Sequence, residues 1–241
     1  MFGRFLEVSL AATDITASVQ FYEQLGFTQL TTGDAWPHPY GVVSDGRLCI
    51  GLHRRNASTP LLSFVRPELA QHLPRLLSAG FETQATRLGE NDFHELELRD
   101  PAGQAVALLE ARTFSPPRAD HGAAQCGWFS AYSMPAVDAT AVQAYWEQAG
   151  FVALETPDDP LSPVTLTSDH LNLALHAPRL LAAPALVFTA EDMPARLERL
   201  AASGLANGTA GGADLPRGLD RRANALLQAP EGTLLLLLHA E

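Results

Sequence analysis

An internal repeat limits the folds open to this 241-residue chain more than any other feature of its sequence. Residues 14–27 read DITASVQFYEQLGF, and residues 138–151 read DATAVQAYWEQAGF. A shift of 124 positions aligns these segments and also places the Ser-Asp pair at 44–45 on the Ser-Asp pair at 168–169. Because this register holds over most of each half, the sequence predicts a tandem duplication with about 120 residues in each copy.

Each copy itself repeats in outline. Residues 4–11 alternate apolar and polar side chains, which is typical of a strand. Asp14 or Thr16 is expected to begin a helix that ends at Gly26, and the Asp45-Gly46 pair predicts a hairpin among the strands that follow. The same order of one strand, one helix and three strands then starts again. The sequence therefore predicts an α+β fold of four βαβββ units, at residues 4–55, 60–112, 128–177 and 184–239.

The joint between the two copies is the segment RTFSPPRADHGAAQ. Its content of proline, glycine and alanine is typical of a linker. We therefore predict a first domain at 1–115, a linker at 116–126 and a second domain at 127–241.

Composition excludes several classes of function. The chain has 27 acidic and 16 basic side chains, for a net charge of −11, and all the basic ones are arginines. The absence of lysine excludes Schiff-base chemistry and the phosphate-loop lysine. A negative chain repels nucleic acid and anionic membranes, so neither is an expected partner. A neutral or cationic small molecule is the expected partner, and the chain is expected to be a monomer or a homodimer.

The location of the protein is also predicted from its sequence. Cys49 and Cys126 are the only cysteines and form neither a disulfide framework nor a metal-type spacing, which favours a reducing compartment. The N-terminal segment MFGRFLEVSL lacks the apolar core of a signal peptide. We therefore expect a cytoplasmic protein.

Three segments carry a resemblance to a known family: DITASVQFYEQLGF, SDGRLCIGLH and RDPAGQAVALLE. Together with the four βαβββ units, they make the chain resemble the vicinal oxygen chelate superfamily, which includes glyoxalases, bleomycin-resistance proteins and extradiol dioxygenases. The resemblance implies two tandem glyoxalase-like domains, with curled mixed sheets that enclose clefts. One cleft in each half is expected, and pairing of the first unit with the fourth is the alternative.

The resemblance also implies where a divalent metal would bind, because enzymes of this family hold it with side chains from the first and last strands of a unit. The first of these positions falls on Glu7, a carboxylate. The other positions carry side chains that do not bind metal: Leu61, Ala107, Ala131, Ala185 and Leu236. Since one carboxylate does not make a tight divalent site, no metal and no cofactor are expected in either cleft.

Glu7, Glu95 and Glu97 are candidate ligand-binding residues. Alternation places Glu7 on the opposite side of its strand from Leu6, Val8 and Leu10, and it places Glu95 and Glu97 on one shared face. We expect the three carboxylates to line one acidic cavity in the first half; the alternative is a set of solvated strand faces. The matching positions of the second half, Asn224 and Leu226, predict a more neutral and apolar cleft there.

Three further side chains complete the predicted ligand-binding set. His53 matches His176 of the second half, and duplicate histidines at a strand end suggest proton transfer or metal binding; inherited packing is the alternative. His94 lies next to the acidic face, where it can pair with a carboxylate. Trp36, in a proline-rich loop with His38 and Tyr40, is placed to stack on a flat ligand or to lie on the surface.

These observations leave three functional hypotheses. The first is a protein of the bleomycin-resistance type, which binds a small cationic or aromatic molecule without a metal. The second is a lyase, isomerase or dioxygenase of the same superfamily with altered metal ligands such as Glu7 and His53. The third is a regulatory module that uses the fold as a scaffold. No catalytic residue is assigned.

Overall fold

The computed structural model describes residues 1–33, 36–55, 59–111, 124–154, 164–205 and 214–240. The first half follows the predicted order twice. Its elements are β1 (Arg4–Ala11), α1 (Ile15–Gln24), β2 (Thr28–Leu30), β3 (Tyr40–Ser44), β4 (Cys49–His53), β5 (Leu61–Arg66), α2 (Leu69–Ser78), β6 (Thr83–Arg87), β7 (Glu95–Arg99) and β8 (Ala105–Glu110).

The second half repeats this order with one difference. Its elements are β9 (Trp128–Pro135), α3 (Ala139–Ala149), β10 (Val152–Leu154), β11 (Val164–Thr167), β12 (Asn172–His176), β13 (Ala185–Ala190), α4 (Met193–Ala202), β14 (Ala225–Gln228) and β15 (Leu234–His239). Within the described residues, two strands instead of three follow α4. Residues 206–213, between α4 and β14, lie outside the description, as does most of the predicted linker at 116–126.

The first helix of each half, α1 or α3, is capped in the same way in both copies. The Asp14 carboxylate accepts a hydrogen bond from the backbone N–H of Ala17 at 3.0 Å, and Asp138 accepts one from Ala141 at 3.0 Å. These bonds satisfy an amide that the first helical turn leaves without an intrahelical partner. Of the two residues predicted to begin the first helix, the cap is therefore Asp14.

Each half forms one mixed sheet, as predicted. The first has the strand order β2-β3-β4-β1-β5-β8-β7-β6, and the second has β10-β11-β12-β9-β13-β15-β14. The two units of a half meet where their first strands pair antiparallel, β1 with β5 and β9 with β13. The α+β fold with two units per half is confirmed, and the alternative pairing of the first unit with the fourth is excluded.

The sheet of the first half is strongly curled. Trp36 precedes β3 near one end of the sheet, and Phe93 precedes β7 near the other end. Their ring centroids nevertheless lie 5.1 Å apart. The two ends of the sheet must therefore bend towards each other, which gives it a concave face that encloses a cleft.

The two halves interlock through their first helices and the turns before their last strands. The hydroxyl of Tyr22 in α1 donates to the Glu231 carboxylate at 2.7 Å, and the indole N–H of Trp146 in α3 donates to Asp100 at 3.0 Å. Tyr22 and Trp146 occupy matching positions of the duplication and are fully buried. One continuous apolar core therefore lies between the halves.

No helix in the described parts of the chain has the length and apolar character that a membrane span requires.

Candidate functional site

The concave face of the first half begins at an irregularity in β1. The pairing of β1 with β5 shifts register between Phe5 and Glu7. Beyond this bulge, Val8 and Leu10 enter the core on the helix side, as alternation predicts. Leu6, however, packs against the cluster of Leu61 and Val65 on the concave side and lines a cavity together with Glu7. The prediction that Leu6 faces away from Glu7 is therefore wrong, because a bulge interrupts the two-residue period of a strand.

Glu7 is buried, with 5% of its surface exposed, and accepts two hydrogen bonds. The Ser9 hydroxyl donates to Oε1 of Glu7 at 2.7 Å, and Nε2 of His53 lies 2.8 Å from the same oxygen. Gly51 on β4 leaves the space that the carboxylate fills, because a Cβ there would overlap with it. A buried carboxylate is stabilised by such donors.

His53 lies at the centre of a cluster of rings. Its Nδ1 is 3.0 Å from Nε2 of His38, and the Tyr40 ring stacks on it with an interplanar angle of 8°. Trp36 meets it edge-on, with centroids 5.5 Å apart. Burial lowers the pKa of His38, and the nearby His53 and Arg55 lower it further. Glu7, His53 and His38 thus form one continuous row of hydrogen bonds.

Glu95 and Glu97 share a face of β7, as predicted, but arginines accompany them. Arg87 on the neighbouring strand lies 3.0 Å from Glu95 and 3.4 Å from Glu97, and Arg55 lies 4.0 Å from Glu95. Glu95 is almost fully buried, and burial raises its pKa, while Arg55 and Arg87 oppose that rise.

The three carboxylates therefore do not form the single acidic cavity that the sequence suggested. Glu95 and Glu97 line a cavity of about 640 Å³ together with His38, Arg55 and Arg87. Glu7 lines a separate cavity of about 310 Å³. Two side chains, Trp36 and Phe93, line both cavities. The expectation failed because strand alternation gives the face of a residue and not its neighbours across a curled sheet.

The smaller cavity is mostly apolar. Within the described part of the chain, its charged lining residues are Glu7 and Glu110, and its rings are those of Trp36, Tyr40 and Phe93. His94 is outside this lining but pairs with a carboxylate, as the sequence suggested: its Nδ1 lies 2.8 Å from Glu110. That hydrogen bond is the main reason why the pKa of the partly exposed His94 is raised.

Among the residues that the structure describes, the second half has no equivalent of this polar row. Ala131 stands where the first half has Glu7, and Ala174 stands where it has Gly51. His176 has hydrogen bonds at both ring nitrogens, to the Ser133 hydroxyl at 2.7 Å and to the Leu181 carbonyl at 3.0 Å. Burial lowers its pKa. For His176, inherited packing is the interpretation that fits.

Apolar side chains fill the concave face of the second half. The cluster consists of Leu181, Ala185, Val187, Leu226, Leu234 and Leu236, with Leu215, Leu219 and Leu238 packed against it. At the position that matches Glu95, the side-chain amide of Asn224 donates to the Asp220 carbonyl and its oxygen accepts from His239 N–H. This face is as apolar as the sequence predicted, and Asn224 is held in place by these two hydrogen bonds.

The donor set at the concave face of the first half does not fit the divalent metal that the family resemblance implies. The residue directly opposite Glu7 on β5 is Ser63, and Leu61, the predicted counterpart of Glu7 in the second unit, is opposite Ser9. Ser63 in turn pairs with Ala107. Over the described ranges, no three His, Cys, Asp or Glu side chains come close enough to hold a metal ion.

Sequence reasoning missed four residues that shape this face: Ser9, Ser63, Arg55 and Arg87. The hydroxyls of Ser9 and Ser63 lie 2.8 Å apart beneath Glu7. Serines inside apolar strands were the available signal, since a buried hydroxyl requires a partner. The arginine pairings depend on strand neighbours that only the fold defines.

Comparison with known proteins gives the fold. Neither a family model nor a curated protein matches this sequence. Among solved structures, the E323L mutant of homoprotocatechuate 2,3-dioxygenase from Brevibacterium fuscum matches with a TM-score of 0.63 and 14% identity, over 97% of this chain and 70% of that one. A catechol 2,3-dioxygenase matches with a TM-score of 0.59 and 12% identity, over 97% and 86% of the two chains. The chain therefore has the fold of the vicinal oxygen chelate superfamily, to which these extradiol dioxygenases belong.

Proposed function

We propose that the protein binds a small aromatic cation in the smaller cavity of its first half, with Glu7 as the group that recognises the charge. The observation that carries this proposal is the contrast between the two halves. The same fold is filled with leucines in one copy, whereas the other copy keeps a cavity with a buried carboxylate. Since a buried charge costs free energy, an acidic residue kept beside an apolar cavity favours a binding role.

The lining of this cavity supports an aromatic ligand. Trp36, Tyr40 and Phe93 present ring surfaces, and aliphatic side chains such as Leu30 and Val65 complete the walls. Small-molecule sites are typically apolar pockets with a few placed polar groups.

The charge in this cavity supports a cation. Both hydrogen bonds that Glu7 receives from described residues end on Oε1, so Oε2 is the oxygen that remains for a ligand. Aromatic faces attract a cation as well. A flat molecule with an amidinium or ammonium group therefore matches both the walls and the charge.

Isothermal titration calorimetry with benzamidine, an aromatic cation, and benzamide, its neutral counterpart, tests this proposal. We expect wild type to bind benzamidine more tightly than benzamide. Replacement of Glu7 by Gln should weaken benzamidine binding by at least about tenfold, because a hydrogen bond to a buried charge is lost. Glu82→Gln removes the same charge from an exposed position and serves as the control. Equal affinity of wild type and Glu7→Gln for benzamidine would contradict the proposal.

A superfamily enzyme with altered metal ligands is the second candidate, and the structural likeness to ring-cleaving dioxygenases is the observation that favours it. Elemental analysis of freshly purified protein separates the two candidates. The binding proposal expects no stoichiometric transition metal. About one equivalent of tightly held metal, lost in Glu7→Ala, would support the enzyme instead.

A further inference from the structure

Chemistry decides which atoms donate and which accept the hydrogen bonds in the row Glu7–His53–His38. An ionised carboxylate only accepts hydrogen bonds, so Nε2 of His53, 2.8 Å from Glu7, carries the proton. A neutral imidazole has one N–H, so Nδ1 of His53 is an acceptor. Nε2 of His38, 3.0 Å away, then donates to it. This arrangement leaves Nδ1 of His38 without a proton.

We propose that His38 is a proton-accepting group for molecules in the larger cavity, and that His53 and Glu7 are the positioning residues that hold it in this state. His38 lines that cavity, which has a volume of about 640 Å³. This role of His38 concerns the larger cavity and does not depend on binding of benzamidine in the smaller one.

The proton transfer balances within the row. A bound acid gives its proton to Nδ1 of His38 and keeps the bonding electron pair, which leaves an anion in the cavity and an imidazolium at His38. The Nε2 proton of His38 can then shift to Nδ1 of His53, and the Nε2 proton of His53 can move towards Glu7. The buried negative charge of Glu7 thus stabilises the added proton, as a carboxylate behind a histidine does in other proteins.

The groups around the row define the substrate class. Tyr40 stacks on His53 from β3, Arg55 lies over the Trp36 ring at 5.5 Å, and Glu95 faces the same cavity from β7. The described lining of the cavity includes three arginines and three carboxylates: Arg55, Arg87, Arg99, Asp92, Glu95 and Glu97. Because these formal charges balance, the cavity favours a neutral or zwitterionic small molecule with an acidic O–H or C–H group. Arg55 is placed to stabilise the anion that forms.

The second half shows how a histidine at the same strand position is held when it serves packing alone. His176 occupies the position of His53, yet both its nitrogens are satisfied by Ser133 and a backbone carbonyl. Among the described residues, its hydrogen-bond partners include neither a histidine nor a carboxylate. The histidine alone therefore suffices for packing, and the additional Glu7 and His38 require another explanation.

Nitrogen-15 NMR of the histidine rings at about pH 8 and carbethoxylation by diethyl pyrocarbonate test the proposal together. In the second assay, an unprotonated ring nitrogen attacks the reagent and displaces ethyl carbonate, which breaks down to ethanol and carbon dioxide; peptide mass spectrometry measures the rate at each histidine. We expect His38 to carry its proton on Nε2, with a scalar coupling across its hydrogen bond to His53. We also expect His38 to be modified quickly and His176 slowly.

The decisive variant is Glu7→Gln, because Glu7 does not contact His38 and the substitution keeps the shape of the row. Loss of the charge should lower the carbethoxylation rate of His38 by roughly threefold, through the weaker electrostatic support of a positive charge there. The control Glu82→Gln should leave the rate unchanged. A His38 ring that carries its proton on Nδ1, or a carbethoxylation rate that is the same in wild type and Glu7→Gln, would overturn the proposal.

Discussion

Replacement of Gly51 by Ala should displace the Glu7 carboxylate and break the polar row at its origin. An added Cβ would lie 2.6 Å from Oε2 of Glu7 and closer still to its other carboxylate atoms. Gly51 is paired with Ser9 on one side and with Val42 on the other, so the backbone has little room to shift. The side chain of Glu7 must therefore move, and it loses its contacts with Ser9 and His53.

The expected cost follows from these contacts. Loss of hydrogen bonds to a buried charge costs about 1.5–3 kcal/mol each, and overpacking of a filled site costs about 1–3 kcal/mol. Partial relaxation reduces the sum, so we expect Gly51→Ala to lower the free energy of unfolding by about 4 kcal/mol. The second half indicates how the clash is avoided, because Ala174 stands at the position of Gly51 and Ala131 stands at the position of Glu7.

A double-mutant cycle measures the contact directly. Urea denaturation, followed by the fluorescence of buried tryptophan, should be recorded for wild type, Gly51→Ala, Glu7→Ala and the double variant. In the Glu7→Ala background, Gly51→Ala should cost less than about 0.5 kcal/mol, because the clash no longer exists. Gly33→Ala, at a position with open space around it, is the matched control. If Gly51→Ala costs the same in both backgrounds, the contact with Glu7 is not the source of the loss.

Three further predictions concern the rest of the molecule. Tyr22→Phe removes the hydrogen bond to Glu231 that joins the halves, and it should lower the free energy of unfolding by about 1–2 kcal/mol in urea titrations. Burial lowers the pKa of His176 from its ordinary 6.5, so the unfolded chain binds more protons below that pH; stability should fall between about pH 7 and about pH 5, and urea midpoints should fall less in His176→Leu. Burial raises the pKa of Cys49 to about 11 and also raises that of Cys126; a disulfide reagent at about pH 8 should therefore leave both thiols unmodified until urea unfolds the chain.

Local signals in the sequence were enough to predict the elements of the fold. Asp14 and Asp138 cap their helices through amides three residues away. The Asp45 carboxylate likewise accepts from the amides of Arg47 and Leu48 within the predicted turn. Each of these bonds depends on neighbours in the chain, so the sequence contains all the information that they require.

The candidate site was only partly predictable, because its contacts depend on strand register and on curvature. Glu7 and His53 were both candidates from the sequence, and the fold brings them within 2.8 Å of each other, but the bulge at Leu6 changed the side of the strand that alternation predicted for its neighbour. The contact between Trp36 and Phe93 exists only because the sheet curls. No period or spacing in the sequence encodes this curling of the sheet. The Trp36–Phe93 contact that it creates lies between the cavity of Glu7 and the cavity of Glu95.

The leucine-filled face of the second half has a consequence for how relatives of this chain can vary. A packed apolar cluster such as Val187, Leu226 and Leu236 restricts total volume but tolerates exchanges among aliphatic residues. The row around Glu7 and Gly51 restricts chemical identity instead, since a charge there needs both its donors and an empty place on the facing strand. In relatives that use the two halves in the same way, the apolar positions of the second half should therefore exchange one aliphatic residue for another. Positions 7 and 51 should change only together.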